Sequence, residues 1–347
     1  MPYRICQKYY LYGIMKIFPT QYSLFSSNAL NDKIQQSFGL KGTTCKLLIH
    51  NVSDTYIIEN AESKYIFKIY RDAHRNLDEI KAEVELLNAL KENGAKVSYP
   101  IADLQGEQVQ SFQAAEGTRY GVLYSFAYGK VVYDLTAQQL TTVGVEMAKI
   151  HQVTSAITLT YPRKSYTVDT LLTGPVKTIA PAFTGLEEEY KWLTDTVKKA
   201  EDKIRQFDTS LFSSGYCHYD FFPKNFHFTD DGGIMFFDFD FAGKGLLAND
   251  LASFYIHFFL EVHAGKITQQ QADELFQVFI DGYRSIRPLT DEEVKAIPYL
   301  GFAFWIFYFA FHYENFEEWS NFFFGPKFIK DRVALIQKWA AWYCKFD

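Results

Sequence analysis

The 347-residue chain is poor in cysteine: Cys6, Cys45, Cys217 and Cys344 stand far apart and form no CxxC pair. That spacing excludes a disulfide framework and points to reduced, buried thiols of a cytoplasmic protein. His227, His257 and His263 are grouped neither with cysteines nor with one another, which excludes a zinc site. Basic residues are not in excess. With 35 Lys and Arg against 41 Asp and Glu, the formal charge of −6 argues against a nucleic-acid or anionic-membrane partner. No signal peptide is evident, because "MPYRICQKYYLYGIMKIFPTQY" has neither a clean apolar core nor a small-residue cleavage site. Met15 begins a plausible alternative start, which would make residues 1–14 an extension or a loose arm. Long apolar runs are missing too. The most apolar stretch, "YLGFAFWIFYFAFHY" at 299–313, is shorter than the ~20 residues that span a bilayer and reads as a buried helix. Repeats and low-complexity segments are absent. The "AGKG" at 242–245 lacks the spacing of a P-loop.

What is present divides the chain in two. After a short helix at 28–38, strand-like stretches fall at 44–50, 55–60 and 64–71, separated by the turn formers "NVSD" and "AES". Residues 76–93 carry Leu77, Ile80, Val84, Leu87 and Leu90 at helical spacing, with Gly94 as a stop. Further strands are expected at 96–104, 107–113 and 119–126. Beyond "SFAYGK" the pattern turns helical, over 135–153, 186–207, 247–260, 267–285, 291–312 and 326–345. These expectations give an α+β chain. It has an N-terminal arm and helix (1–39), a strand-rich lobe with one helix (40–125) and a helix-rich lobe (126–347). The cleft between the lobes is the natural ligand site.

Inside the helical half lies "GYCHYDFFPKN" (215–225), followed by "FHFTDDGGIMFFDFDF", two short strands about an Asp-Gly-Gly turn. Transfer of a phosphoryl group from a nucleotide requires a carboxylate to orient the attacking hydroxyl, oxygen ligands for Mg²⁺ and a cation on the phosphates. Asp220 and Asn225 are five apart, so a tight loop can turn the carboxylate to the acceptor and the amide oxygen to metal. Asn and Asp are the oxygen donors Mg²⁺ prefers. In a strand over 234–240, Phe237 and Phe239 would face one way and Asp238 and Asp240 the other.

The pattern H-x-D-x-x-x-x-N, a hairpin and D-F-x resembles the protein-kinase-like superfamily. Tyr219, Phe222 and Asp240 depart from protein kinases. "HYDFFPKN … FFDFDFAGKGLLANDLASF" is similar to the branch of aminoglycoside phosphotransferases, choline kinases and homoserine kinases. "VGVEMAKIHQ" (143–152) resembles a helix of that group. The resemblance covers roughly residues 40–260. It implies a bilobal protein-kinase-like fold, ATP and Mg²⁺ as cofactors, and a small-molecule hydroxyl as acceptor: an amino alcohol, amino sugar, homoserine or sugar. It makes Asp220 the catalytic base, Asn225 and Asp238 the metal ligands, and Lys68 of "YIFKIYR" the lysine on the nucleotide phosphates. Alternation supports Lys68, since Tyr65, Phe67 and Ile69 share the other face. Glu83 is the implied helix partner of Lys68, with Glu85 and Glu79 as competitors. "LIHNVSDTYII" replaces a Gly-rich loop, and Ser53 there could contact phosphate. The connector near Ser125 and Ala127 should offer backbone hydrogen bonds to the purine.

Several residues keep two readings. His218 is a proton carrier or a backbone-bonded structural residue. Asp240 is a second metal ligand or structural. Asp250 reads as an N-cap. Lys224 touches phosphate or is solvated, and Glu314, Glu317 and Glu318 line an acidic pocket or form a solvated helix end. Two rival functions stand beside small-molecule transfer. A Ser/Thr protein kinase would need more than the eight residues at 241–248 to build a peptide platform. A non-catalytic nucleotide-binding regulator would be expected to lack one of Lys68, Asp220, Asn225 and Asp238, and all four are present. Nothing in the sequence bears on oligomeric state.

Overall fold

The computed structural model describes residues 18–315 and 324–346. The alternative start at Met15, the arm 1–14, Glu317 and Glu318 lie outside them. The small lobe is a five-stranded antiparallel sheet. Its strands β1 (Thr44–His50), β2 (Ser53–Glu59), β3 (Lys64–Tyr70), β4 (Val109–Ala114) and β5 (Gly117–Ser125) are ordered β1-β2-β3-β5-β4. Both faces are covered. Helix α1 (Ser27–Phe38) lays Leu30 and Ile34 on Tyr56, Ile58, Phe67, Ile69 and Leu123, so it packs as part of this lobe. Helix α2 (Leu77–Glu92) covers the other face with Ile80, Leu87 and Leu90, and this core runs on into the large lobe. A capping box starts α2: Asn76 accepts from the Glu79 N–H while Glu79 reaches back to Asn76.

Residues 96–104 do not form the expected strand. Ser98 N–H bonds to Phe236 O, whereas Ser125 N–H and Ile101 N–H bond to Tyr99 O and Leu123 O. The segment divides its hydrogen bonds between the two lobes, and Pro100 has no N–H to extend a ladder. It stitches the lobes together at the back of the cleft.

The large lobe contains α3 (Ala137–Thr154), α4 (Gly174–Thr178), α5 (Glu187–Gln206), α6 (Ala248–His263), α7 (Gln269–Arg284), α8 (Asp291–Asn315) and α9 (Pro326–Tyr343). Set among them are two short ribbons. In one, β6 (Ser214–Cys217) pairs with β9 (Gly243–Leu246); in the other, β7 (Phe226–Phe228) pairs with β8 (Ile234–Phe236). Helix α8 has the length and apolarity of a membrane span, yet 78% of its apolar window is buried against its neighbours. It is the core helix the sequence suggested, and it runs beneath the catalytic loop.

Candidate active site

Strand β6 delivers "HYD" to the cleft floor, and the loop is held from below. Both carboxylate oxygens of Asp250 are used. Oδ2 accepts the His218 N–H at 2.8 Å and Oδ1 the Tyr219 N–H at 2.7 Å, while Oδ2 also lies 2.9 Å from His151 Nε2. Asp250 is therefore not an N-cap. It sits inside the first turn of α6, fully buried, as a clamp on the loop. The clamp supports a non-glycine left-handed residue, Tyr219 (φ 65°), whose ring stacks on Tyr166 at 3.9 Å between centroids. His218 takes the structural role: Nε2 faces Phe237 O at 3.0 Å, and Nδ1 accepts the Asp220 N–H at 3.3 Å.

This frame fixes Asp220. Its Oδ2 accepts from Asn225 Nδ2 at 2.8 Å and from Lys224 Nζ at 2.9 Å. Asn225 Nδ2 also bonds to Asp220 O at 2.8 Å, so the amide nitrogen is committed and Oδ1 is the atom left for a cation. Lys224 is thus not a free solvated lysine; it is paired with the Asp220 carboxylate. Burial opposes its charge, but Asp220 outweighs burial and holds the ammonium above the ordinary lysine range. On α8, Tyr308 presents its buried hydroxyl to the same region. Burial, then the Asp220 charge, push that phenol well above its usual value.

Strand β8 ends at Phe236, short of the expected 234–240. Asp238 turns left-handed (φ 62°, ψ 60°) and a 3₁₀ turn covers Phe239–Phe241. The two carboxylates do converge, but through this turn rather than through strand alternation. Asp238 Oδ1 lies 3.1 Å from Lys68 Nζ with its side chain 46% exposed to the cleft. Asp240 is buried: Oδ2 meets His74 Nε2 at 2.5 Å, and Oδ1 lies 3.4 Å from Arg75 Nε and 3.6 Å from Lys68 Nζ. Burial disfavours its charge, yet His74, Lys68 and Arg75 together keep it well below the carboxylate range.

Lys68 extends from the cleft face of β3, opposite Phe67 and Ile69, as alternation implied. Burial opposes its charge, and Asp238, Asp240 and Glu83 outweigh burial and raise it. Glu83 is buried near Lys68, whose charge it helps to hold, but forms no close ion pair with it. No ion pair within 4.0 Å joins them; Glu83 Oε2 instead lies 3.9 Å from Arg163 and Oε1 is 3.4 Å from Tyr124 Oη. The competitors are further removed in role: Glu85 holds the Thr160 N–H, and Glu79 caps α2.

Ser53 is the first residue of β2, earlier than the expected 55, and it pairs with Tyr70 on the same sheet face as Lys68. Its carbonyl accepts the Asn51 N–H at 3.0 Å and closes the hairpin tip. At the connector, Ser125 is already occupied: its N–H bonds to Tyr99 O and its carbonyl accepts from Ser98 Oγ at 2.6 Å. Ala127 O accepts from His227 at 2.7 Å, which leaves the Ala127 N–H as the donor available to a base.

Sequence reasoning missed three residues. Arg163 donates to the carbonyls of Glu79, Phe239, Asp240 and Ala242, tying α2 to the Asp238 turn. Arg75 grips the Asp240 carbonyl with Nε and Nη2, and His74 takes its carboxylate. None carries a local motif. Two oxygens could hold a cation, Asn225 Oδ1 and the half-exposed Asp238 carboxylate, and both are hard donors suited to Mg²⁺. Among the described residues no cluster of three His, Cys, Asp or Glu forms a separate metal site.

Comparison with known proteins bears on the family and the fold. The profile of the phosphotransferase enzyme family that includes aminoglycoside phosphotransferases matches residues 44–289. A homoserine kinase of Methylobacillus glycogenes is 24% identical over 264 residues, covering 72% of this chain and 74% of its own length. Two solved structures share the fold at 19% identity and a TM-score of 0.71. They are an amicoumacin kinase in complex with AMP-PNP and Ca²⁺ (90% of this chain, 94% of its own) and a microcompartment-associated aminopropanol kinase (90% and 95%).

Proposed function

The chain belongs to the phosphotransferase enzyme family, and from that premise we propose that it transfers the γ-phosphate of ATP, with Mg²⁺, to a hydroxyl of a small amine-bearing metabolite. Amino alcohols, amino sugars and homoserine-like acceptors form the class, in keeping with the kinases of similar fold and sequence. One observation carries the reading: the Asp220–Asn225 pair at 2.8 Å stands on the cleft floor, and Lys68 with Asp238 at 3.1 Å stands on its wall.

Asp220 accepts a hydrogen bond from the acceptor hydroxyl and aims its oxygen along the line of attack. Lys68 positions the phosphates. Asn225 Oδ1 and Asp238 would hold Mg²⁺, which supplies charge neutralisation on the phosphates when bound. Ser53 and the hairpin tip close over the phosphates, and Ala127 N–H meets the base. Catalysis is then mostly positioning and electrostatic stabilisation. The reading sets the enzyme in the cytoplasm with its nucleotide and needs no nucleic-acid or membrane partner. A protein substrate fits less well, because β9 returns directly to β6 and α6 starts at Ala248, leaving no peptide platform.

An ATP-consumption screen over amino alcohols, amino sugars, homoserine and sugars tests the proposal. A positive acceptor should lose roughly 10²–10⁴-fold in turnover with Asp220→Ala. Full metal-dependent turnover by Asp238→Ala would show the metal assignment to be wrong.

A further inference from the structure

We infer that Arg332 receives a carboxylate of the acceptor, so that the molecule phosphorylated is a hydroxy amino acid rather than an amino alcohol or amino sugar. The inference rests on the phosphotransferase reading above and narrows its acceptor class.

Arg332 lies on α9. Its guanidinium packs over two rings, 5.5 Å from the centroid of Trp305 and 5.4 Å from that of Phe328. Those rings engage its face and leave the N–H edge unspent. Among the described residues Arg332 makes no hydrogen bond and no ion pair, whereas every other described arginine has a hydrogen-bond partner. Acidic residues close by are already taken: Asp331 pairs with Lys327, and Glu189 with Lys330. The side chain is only partly exposed. Burial, with no carboxylate to offset it, pushes the guanidinium below the ordinary arginine value. A guanidinium that has given up water without gaining an acceptor is a site short of an anion. Its planar donor edge matches the two oxygens of a carboxylate.

The placement of Arg332 ties it to the catalytic loop. Trp305, Tyr308 and His312 share one stripe of α8 by their helical spacing. Tyr308 stacks on Phe304 at 4.4 Å, and Phe304 lies 5.7 Å from Phe222 of the loop. The Tyr308 phenol senses Asp220, and the His312 imidazole senses both Arg332 and Lys224, the lysine paired with Asp220 at 2.9 Å. An acceptor with its hydroxyl at Asp220 can therefore lay its other end along this stripe toward Arg332. Trp305 Nε1, a buried donor with no hydrogen-bond partner, stands beside it. The charge count favours a monoanion. Lys224 is spent on Asp220, and His312 stays neutral above about pH 4, so one positive charge is left to match. That suits a carboxylate better than a phosphate dianion. An amino alcohol or amino sugar without a carboxylate would leave the guanidinium unpaired and bring a second cation toward it, which selects against such acceptors.

The test is steady-state kinetics with magnesium ATP on matched acceptors. L-Serine, L-threonine and L-homoserine are each set against the amino diol made by reducing the carboxyl group, with glycerol phosphate as the phosphate-bearing arm. For the best pair, kcat/KM should favour the carboxylate by about tenfold or more, the scale of a lost hydrogen bond to a charged group. Arg332→Met should raise the KM of that acceptor by about the same factor, keep kcat within about threefold and erase the preference. Arg332→Lys should restore part of it. Both variants should bind the magnesium complex of a non-hydrolysable ATP analogue like wild type, which also shows that they fold. A wild-type enzyme that prefers the diols overturns the inference, as does an Arg332→Met enzyme with an unaltered KM. Preference for glycerol phosphate over the hydroxy amino acids overturns the carboxylate assignment. If Arg332→Met does not fold, Arg332→Lys decides: a raised KM confined to the carboxylate acceptors supports the inference, and an equal change for acid and diol overturns it. A wild-type protein that binds the analogue but turns over none of the acids also overturns it. One that fails to bind the analogue counts instead against the phosphotransferase reading.

Discussion

The two oxygens of Asp250 serve two backbone N–H groups and His151, all fully buried. Removing the carboxylate leaves those donors unmatched, at about 1–3 kcal/mol each where nothing replaces it. Asp250→Ala should therefore lower the denaturant midpoint by the equivalent of several kcal/mol and depress kcat. An unchanged midpoint would show that the clamp is not what holds Tyr219 left-handed. A second residue-scale effect belongs to His312 on α8. Burial, then the charges of Arg332 and Lys224, push its imidazole down to about 4. The folded protein thus resists a proton that the unfolded chain accepts near 6.5. Its contribution is fully present above about pH 6.5 and is lost as pH falls toward 4. Thermal melts across that window should fall less steeply for His312→Phe than for wild type, and parallel curves would refute the assignment.

At the scale of elements, the pairing of α3 with α7 depends on two glycines that face each other's backbone. A Cβ on Gly144 would lie 2.2 Å from Phe279 O, and one on Gly282 would lie 2.6 Å from Thr141 O. Neither obstacle is a flexible side-chain end, so the helices must separate to admit a methyl. Gly144→Ala should destabilise by about 1–3 kcal/mol or more as overpacking, read as a drop in melting temperature. Separation would also move His151 on α3 and Tyr283 on α7, which bond at 2.9 Å directly behind the Asp250 clamp. Activity should fall with stability in this variant, whereas a surface substitution on the same helices should change neither.

For the whole molecule, the two lobes share the apolar core behind α2 and are joined by polar links: the 96–101 segment, Arg163 and Glu85 at α2, His74 and Arg75 on Asp240, and Lys68 on Asp238. A ligand that binds both lobes adds to these links. Mg²⁺ with an ATP analogue at 100 times its dissociation constant should stabilise the fold by about 2.7 kcal/mol. The rise in melting temperature should shrink when EDTA removes the metal, and should shrink likewise in Asp238→Ala. A shift unaffected by both would place the nucleotide away from Asp238.

The sequence by itself determined the α+β class, most of the element order and the place of the H-x-D-x-x-x-x-N segment between helices. Those rest on local signals: the period of apolar residues, stop residues such as Gly94, and the five-residue spacing of Asp220 and Asn225. The face of Lys68 was legible for the same reason, since alternation along a strand is local. The tertiary structure alone decided who pairs with whom. The Lys68–Asp238 contact, the Asp250 clamp and the grip of Arg163 join residues about 30 to 170 positions apart. No spacing rule reaches that far. The Asp238 turn was misread as strand because a left-handed residue held by tertiary contacts leaves no mark in an alternating pattern of Phe and Asp. Helix α8 was legible in part: its apolar run reads as a buried helix, and packing against its neighbours buries 78% of its apolar window.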